Sequence, residues 1–539
     1  MRIAGWFLPS IGSVLFLTLL LFNLAWGKKL LNDADTAWHI RAGDYILQTG
    51  TPPDTDIFSY TMYGKPWIAH EWLSEVIFSL IHRASGLTGL VIFSSLLISA
   101  TFTALFRLLI RKGVSILPAA FLTLLATATS ANHWLARPHL FSITLTLLWV
   151  YLLDSYHTTR KTAYLYLLPM VMMLWVNLHG GYFTGLLLIV IYGVSEVMTI
   201  AIGERGSGGG WSARGLADLS LAMAGCLLAA LANPFGYRIL VLPFLFLKDK
   251  YIVDHISEWA SASFHGFSGF ETYLLLILAV LALSPRKMKW AEIGLLLFSV
   301  HMSLFAARFH AVFAVIVTPF VGVHLQALLE RCRDGNEFRP RFRGITRWFL
   351  ALSGRIERMS GSLRVPGLSV LAATALVVIL LFGVPKTIAP FLRYGFNPQK
   401  YPVAALDFVQ DNHLSGNVYN KYYFGGYLIY RFFPDPAYRV FIDGRAVDLY
   451  GETFFKDFFQ VVDYPQPGWS QVLDQFNVQW VIHTPDSALS SVLLESPDWA
   501  LIYSDKVANI FLRRTPRNQP LIDRYPDVHP VVDDDQPEP

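Results

Sequence analysis

Long uninterrupted apolar runs decide most of what this chain can become. Stretches at 4–26, 87–109, 114–131, 138–155, 163–179, 181–202, 216–232, 271–284, 289–305, 309–328 and 366–386 each read as a candidate membrane-spanning helix, eleven in all. The stretch at 271–284 is short, so its start is expected earlier and the count is good to one or two. A helix satisfies its backbone N–H and C=O groups internally, the condition for crossing hydrocarbon. The composition agrees: 15% of residues are charged and 54% hydrophobic, against about 25% charged in soluble domains. A soluble enzyme is excluded, and the division expected is a membrane domain over 1–390 followed by a polar domain. The first run lacks a small-residue cleavage site before Gly27-Lys28-Lys29 and is expected to be an uncleaved span.

Net charge is +4, but the basic residues sit on short connectors rather than in a stripe interleaved with aromatics, so no nucleic-acid partner is expected. Two cysteines, Cys226 and Cys332, exclude a disulfide framework and zinc spacing. With a cytoplasmic N-terminus the inside connectors carry 19 Lys and Arg and the outside connectors 10, which favours that orientation and, with eleven spans, an extracytoplasmic C-terminal domain. The short polar segments then gather at the outer face: Asp33 to His39, His70-Glu71-Trp72, Arg137-Pro138-His139, Asn177 to Gly181, Asn233 to Gly236, Glu258-Trp259 and Arg308 to His310. Span centres are almost free of ionisable groups. Asp154, Glu196, Asp218 and Glu292 lie near cytoplasmic ends, and His301 is the deepest outer-side exception. An ion-coupled transporter needs such groups near the midplane, so a flippase or transporter is disfavoured.

The loop at 27–86 is unusually long. Trp38, Ala42, Tyr45 and Ile46 recur at helical spacing before a stop at Gly50 and Pro52-Pro53, and Leu73, Val76, Ile77, Leu80 and Ile81 form a second stripe. Two amphipathic helices lying on the membrane surface are expected. Asp33 and Asp35 open the first, where either serves as an N-cap, or Asp35 serves as a general base or metal ligand with Asp33 in support. The two readings are compatible, since a capping turn also fixes a carboxylate in place. Arg137 and Arg308 each precede a histidine by two residues, His139 and His310. Guanidinium groups at the interface suit a lipid-linked phosphate, or they snorkel there, with Pro138 opening the next helix. His179-Gly180-Gly181 reads as a tight turn or as part of the site, and Glu71 and Glu258 as polar neighbours of the anchors Trp72 and Trp259 or as site carboxylates.

An uncut first span, a long outer loop opening on an acidic pair, two surface helices, many further spans and an outward C-terminal domain together resemble the GT-C superfamily of polyprenyl-phosphate-dependent glycosyltransferases. The string from Asp33 to Glu75, with Asp35-Thr36-Ala37-Trp38-His39, Asp54 to Tyr60 and His70 to Leu73, also resembles a group of bacterial membrane proteins placed beside these transferases. The likeness covers most of the chain as architecture and the first loop at residue level. It implies a GT-C-like helical polytopic fold and an inverting transfer of a sugar from a polyprenyl-phosphate donor. The acceptor, an extracytoplasmic glycan, lipid or protein, would lie at the outer face of the bacterial inner membrane. It also implies an acidic residue of the first outer loop, Asp35 or Asp33, acting at the acceptor or on a metal. Loop position and residue chemistry, taken with the resemblance, make Asp35 the expected catalytic carboxylate with Asp33 and Glu71 as helpers or metal ligands, and place Arg137, His139, His179, Arg308, His310, His39, His70 and Glu258 around the substrates. A divalent metal, Mg or Mn, would be held by Asp33 and Asp35 if one is needed. Oligosaccharyltransferases of this superfamily carry a Trp-Trp-Asp-Tyr-Gly motif. Here Tyr422-Tyr423-Phe424-Gly425-Gly426-Tyr427 stands in a similar setting without the aspartate, so sequon recognition is not carried over. The rival reading is a non-catalytic scaffold or lipid-carrier-binding protein of the same fold.

Residues 391–525 read as a small α/β domain with helices at 403–411 and 469–476 and strands at 417–420, 438–442, 478–483, 499–503 and 508–513. No Gly-x-Gly-x-x-Gly joins a strand to a helix, which excludes a Rossmann cofactor site, and Gly206 to Gly210 reads as a linker. Phe441 to Arg445 with Asp448 and Tyr450 forms a polar cluster, either a turn cornered on Asp443-Gly444 or an acceptor-binding surface facing the membrane site. The last residues, 526–539, read as a disordered acidic tail.

Overall fold

The computed structural model describes residues 10–202, 213–248, 251, 255, 259–266, 268–361, 367–384 and 393–531. Among the described residues fourteen α-helices of eleven or more residues precede the C-terminal domain: α1 (Ile11–Ala25), α2 (Asp35–Thr49), α3 (Trp72–Arg111), α4 (Ile116–Ser130), α5 (His139–Thr159), α6 (Ala163–Leu178), α7 (Tyr182–Ile202), α8 (Ala213–Ala230), α9 (Arg238–Lys248), α10 (Gly269–Leu283), α11 (Trp290–Phe305), α12 (His310–Asp334), α13 (Pro340–Gly361) and α14 (Gly367–Phe382). Each of the eleven apolar stretches holds one of them. By length and composition three are apolar enough to cross a membrane, Trp72–Arg111, Tyr182–Ile202 and Ala307–Asp334, and five shorter apolar helices accompany them. The fold is therefore a helical membrane-type bundle, while the figure of eleven spans remains an expectation. The Gly206 to Gly210 linker and the 532–539 part of the acidic tail lie outside the described residues.

Helix α3 has 40 residues because it fuses a loop helix and a span. Gly86 divides them, with φ 62° and ψ −157°, a backbone shape that side chains beyond glycine rarely adopt. This is where the sequence ends its outer loop. Helix α13 occupies the basic connector between the apolar stretches 309–328 and 366–386. Its apolar residues Ile345, Trp348, Phe349 and Leu352 follow helical spacing among the arginines, and it packs on α12.

The expectation that both loop helices lie on the membrane surface needs correction for the first. In α2 the residues Thr36 to Ile40, Ala42 to Asp44 and Ile46 are buried. One face packs on the start of α3, and another is covered by α16 of the C-terminal domain. The apolar stripe meets protein on one side, and the polar side is sealed by a domain far along the chain.

The C-terminal domain contains α15 (Val403–Asp411), α16 (Gly425–Phe432), α17 (Trp469–Gln475) and α18 (Ala488–Glu495) around strands β1 (Val418–Asn420), β2 (Trp480–His483), β3 (Trp499–Ser504) and β4 (Asn509–Arg513). The sheet order is β1-β2-β4-β3, with β1 parallel to β2 and the other pairs antiparallel. The strand expected at 438–442 does not join this sheet. Val440 makes a single parallel bridge to Ser59 of the first loop, with Tyr60 N–H donating to Val440 O and Val440 N–H to Phe58 O, both at 3.1 Å. This segment found its partner outside its own domain.

Candidate functional site

The start of α2 builds the first half of the site. Asp33 Oδ1 accepts the backbone N–H of Asp35 at 2.7 Å, so the acidic residue outside the helix satisfies an orphan donor at its first turn. That turn aims both carboxylates at one cation. Arg137 Nη1 lies 3.0 Å from Asp33 Oδ2, and its Nη2 lies 2.7 Å from Asp35 Oδ2. Two further bonds hold the arginine segment there: Thr36 Oγ1 donates to Ala136 O at 3.1 Å, and Ala136 N–H donates to Leu30 O at 2.7 Å. Trp38 Nε1 donates to Asp35 Oδ1 at 3.0 Å. Over this arrangement lies Gly444, where an added Cβ would come 1.8 Å from Asp35 Oδ1, so only a bare backbone fits. The aromatic motif of the C-terminal domain also reaches here, with Tyr423 donating its hydroxyl to Asn32 O at 2.8 Å and its Oη lying 3.0 Å from Tyr401 Oη.

The second half surrounds Glu71. Three histidines present Nε2 to its carboxylate: His179 at 3.4 Å and His70 at 3.6 Å from Oε1, and His39 at 3.5 Å from Oε2. Their hydrogen-bond networks assign different states to them. Gly181 N–H donates to His179 Nδ1 at 2.8 Å, which makes Nδ1 an acceptor and leaves the proton on Nε2, facing Glu71. Burial takes His39 to about 3, against the pull of Glu71. For His70 burial also opposes charge, but the bond to and charge of Glu71 outweigh it and raise the imidazole to about 9. Its Nδ1 faces Ile68 O at 3.3 Å, so only the doubly protonated ring also serves Glu71. Glu71 is pushed upward by burial and pulled further down by its histidines, and we read the pair as a carboxylate with a His70 imidazolium.

The halves adjoin, because the Trp38 ring that bonds Asp35 lies 3.7 Å, centroid to centroid, from the ring of His39. From the C-terminal domain Asp448 faces the same cluster; burial first, with Glu71 second among the raising influences, lifts its carboxyl to about 6, and its Oδ1 has no hydrogen-bond partner. Arg308 stacks on Trp259 with its guanidinium 4.6 Å from the ring centroid, and its charge is felt at His133, His179 and Asp448. His139 lies 6.5 Å from His179, ring to ring, and shares a 2.7 Å hydrogen bond with His133 O rather than with the carboxylates. His310 stacks on Phe270 at 4.4 Å, and its Nε2 has no partner. Glu258 lies outside the described residues.

Among the described residues no group of three or more His, Cys, Asp or Glu has the geometry to hold a metal ion. Asp33 and Asp35 each give an oxygen to Arg137, so the guanidinium is the cation that this pair holds.

Sequence reasoning missed His133 and Trp38 as members of the site, Trp38 being read only for its place in a stripe. Gly444 was marked as a turn corner or part of an acceptor surface, with no local pattern to show that it meets Asp35. The polar cluster after Phe441 faces the first loop and is a joint rather than an open surface. Arg445 is 2% exposed, donates through Nη2 to Asp443 Oδ2 at 2.6 Å, and brings Nη1 within 2.7 Å of Asp56 Oδ1, an ion contact rather than an aligned hydrogen bond. Tyr450 Oη donates to Asp443 Oδ2 at 3.0 Å.

No protein family matches this sequence, and no curated protein does. Solved structures do match by fold. The archaeal oligosaccharyltransferase AglB from Archaeoglobus fulgidus, in complex with an inhibitory peptide and a dolichol-phosphate, superposes with a TM-score of 0.53 at 11% identity, covering 87% of this chain and 69% of its own. ArnT from Cupriavidus metallidurans, bound to undecaprenyl phosphate, gives 0.49 at 13% identity over 93% of this chain and 98% of its own. The chain has a GT-C-like fold.

Proposed function

We propose that this protein is a membrane glycosyltransferase that moves a sugar from a polyprenyl-phosphate-linked donor to an extracytoplasmic acceptor. The observation that carries the reading is the half-buried acidic pair at the start of α2, oriented by Arg137, beside the Glu71 histidine cluster and closed over by the C-terminal domain. The fold shared with AglB, whose structure holds a dolichol-phosphate, supports the donor class.

In this reading Asp35 accepts the proton of the acceptor hydroxyl or amine as its oxygen or nitrogen bonds to the anomeric carbon from the face opposite the phosphate. The bond from that carbon to the phosphate oxygen breaks, its electron pair leaves with the polyprenyl phosphate, and the anomeric configuration inverts. Arg137 is a positioning residue, since both of its contacts go to the carboxylates. Arg308 takes the phosphate, where a guanidinium offers paired donors to developing negative charge. Asp33 and Glu71 hold the charge pattern that keeps Asp35 and the His70 imidazolium in place.

The test is binding of undecaprenyl phosphate to purified protein, followed by transfer. Wild type binds, Arg308→Ala loses binding, and Asp35→Asn binds but loses transfer by about 10²–10⁴-fold, the range for a general base. No binding by wild type, or full transfer by Asp35→Asn, overturns the reading. A second reading, a carrier-binding protein without transfer, is favoured by the tight cover of Gly444 on Asp35. It is chosen if wild type binds the carrier while Asp35→Asn leaves every cellular phenotype unchanged.

A further inference from the structure

Where α2 ends against the C-terminal domain, a cleft of about 330 Å³ opens that no step above uses. Its walls include Tyr45 and Gln48 of α2, Tyr63 from the following loop, and Asp435, Tyr438 and Arg439 from the segment after α16. That volume lies at the small end of ligand sites, roughly 300–1,000 Å³. Three tyrosines supply flat apolar faces with hydroxyls at their edges. Tyr63 and Gln48 are exposed, and the Arg439 guanidinium rests 3.6 Å from the Tyr63 ring centroid without an ion pair among the described residues. Asp435 accepts Ala437 N–H through Oδ1 at 2.9 Å, which fixes its carboxylate at the rim.

Flat faces alternating with planar amide, carboxylate and guanidinium groups suit a ring that is apolar on its face and lined with hydroxyls at its edge. The strands contribute none of the lining, so a peptide has no edge here to extend as an added strand. Tyr45 stands ten residues after Asp35 on one helix, about 15 Å along its axis at 1.5 Å per residue, with the enclosed part of α2 between them. We propose that this cleft is a saccharide-binding site on the outer surface of the joint, apart from Asp35. It rests on the proposed transferase reading for the class of ligand, whereas the binding itself is tested without transfer.

The experiment is saturation-transfer NMR on the full chain in lipid nanodiscs, with chitotriose and trigalacturonic acid as probes. At least one probe binds, and both Tyr63→Ala and Gln48→Ala weaken it tenfold or more; both side chains are exposed, so the variants fold. If neither probe binds, or if Tyr63→Ala binds as wild type does, the subsite is wrong. Undecaprenyl phosphate binding is read on the same samples. Carrier bound without saccharide overturns the cleft and spares the transferase reading, while saccharide bound and lost in Tyr63→Ala without carrier does the reverse.

Discussion

Replacing Arg445 by methionine should release the first loop from the C-terminal domain. The guanidinium is fully buried between Asp56 and Asp443, so its removal leaves two buried carboxylates without their cation. Breaking a buried ion pair by deleting one partner costs about 3–5 kcal/mol. Both carboxylates keep other donors. Asp56 accepts from Phe58 N, Ser59 N and Ser59 Oγ at 3.0, 3.1 and 2.6 Å, and Asp443 from Tyr450 Oη at 3.0 Å, which points to the lower half of that range. The guanidinium also lies 4.6 Å from the centroid of the Trp67 ring and 5.0 Å from that of Phe58, contacts that methionine replaces in part by packing. A loss of about 3–4 kcal/mol, at 1.4 kcal/mol per factor of ten, speeds opening by about 10²–10³. Hydrogen exchange at Tyr60 and Val440, whose amides bridge loop and domain, reads it directly. The double variant Asp56→Asn with Arg445→Met should exchange more slowly than Arg445→Met alone, because one stranded charge is gone. Less than a tenfold change in the single variant, or a double variant that opens faster, refutes the argument.

Gly444→Ala drives a methyl onto Asp35 Oδ1 and should abolish transfer while leaving carrier binding within a fewfold of wild type; equal transfer rates would show that the turn yields without moving Asp35. Arg137→Ala leaves Asp33 and Asp35 facing each other without their shared cation, and a loss of roughly 3 kcal/mol in thermal stability is expected, partly recovered by Asp33→Asn. His70, raised from 6.5 to about 9 on folding, contributes stability that is full below pH 6.5 and is lost as pH rises through about 9. Melting temperature should therefore fall across that window, and His70→Gln should flatten the fall. A wild-type profile that is level from pH 6.5 to 9.5 would count against a charged His70.

Much of the site was legible before any coordinates. Asp33, Asp35, Glu71, Arg137, His39, His70 and His179 were each singled out by residue type and loop position, and the structure brings these seven together. Their partners were not legible. Arg137 looked like a group free for phosphate because a sequence shows that a cation sits at a span end but not which carboxylate lies across from it. His139 and His310 share spacing with their arginines, yet one turns to a backbone carbonyl and the other to a phenylalanine ring. The segment 438–442 has the β-branched and aromatic content of a strand, but that content leaves the pairing partner open.

The sequence by itself determined the helical bundle, the long loop with its two helices and its end at residue 86, and the small sheet domain, because apolar period and glycine or proline stops act over a few residues. Tertiary structure alone decided that α2 is enclosed, that Gly444 seals Asp35, and that Arg445 joins Asp56 to Asp443 across nearly 390 residues of chain. Those contacts depend on close approach and on charge burial between segments distant in sequence, and neither leaves a local mark in the order of residues.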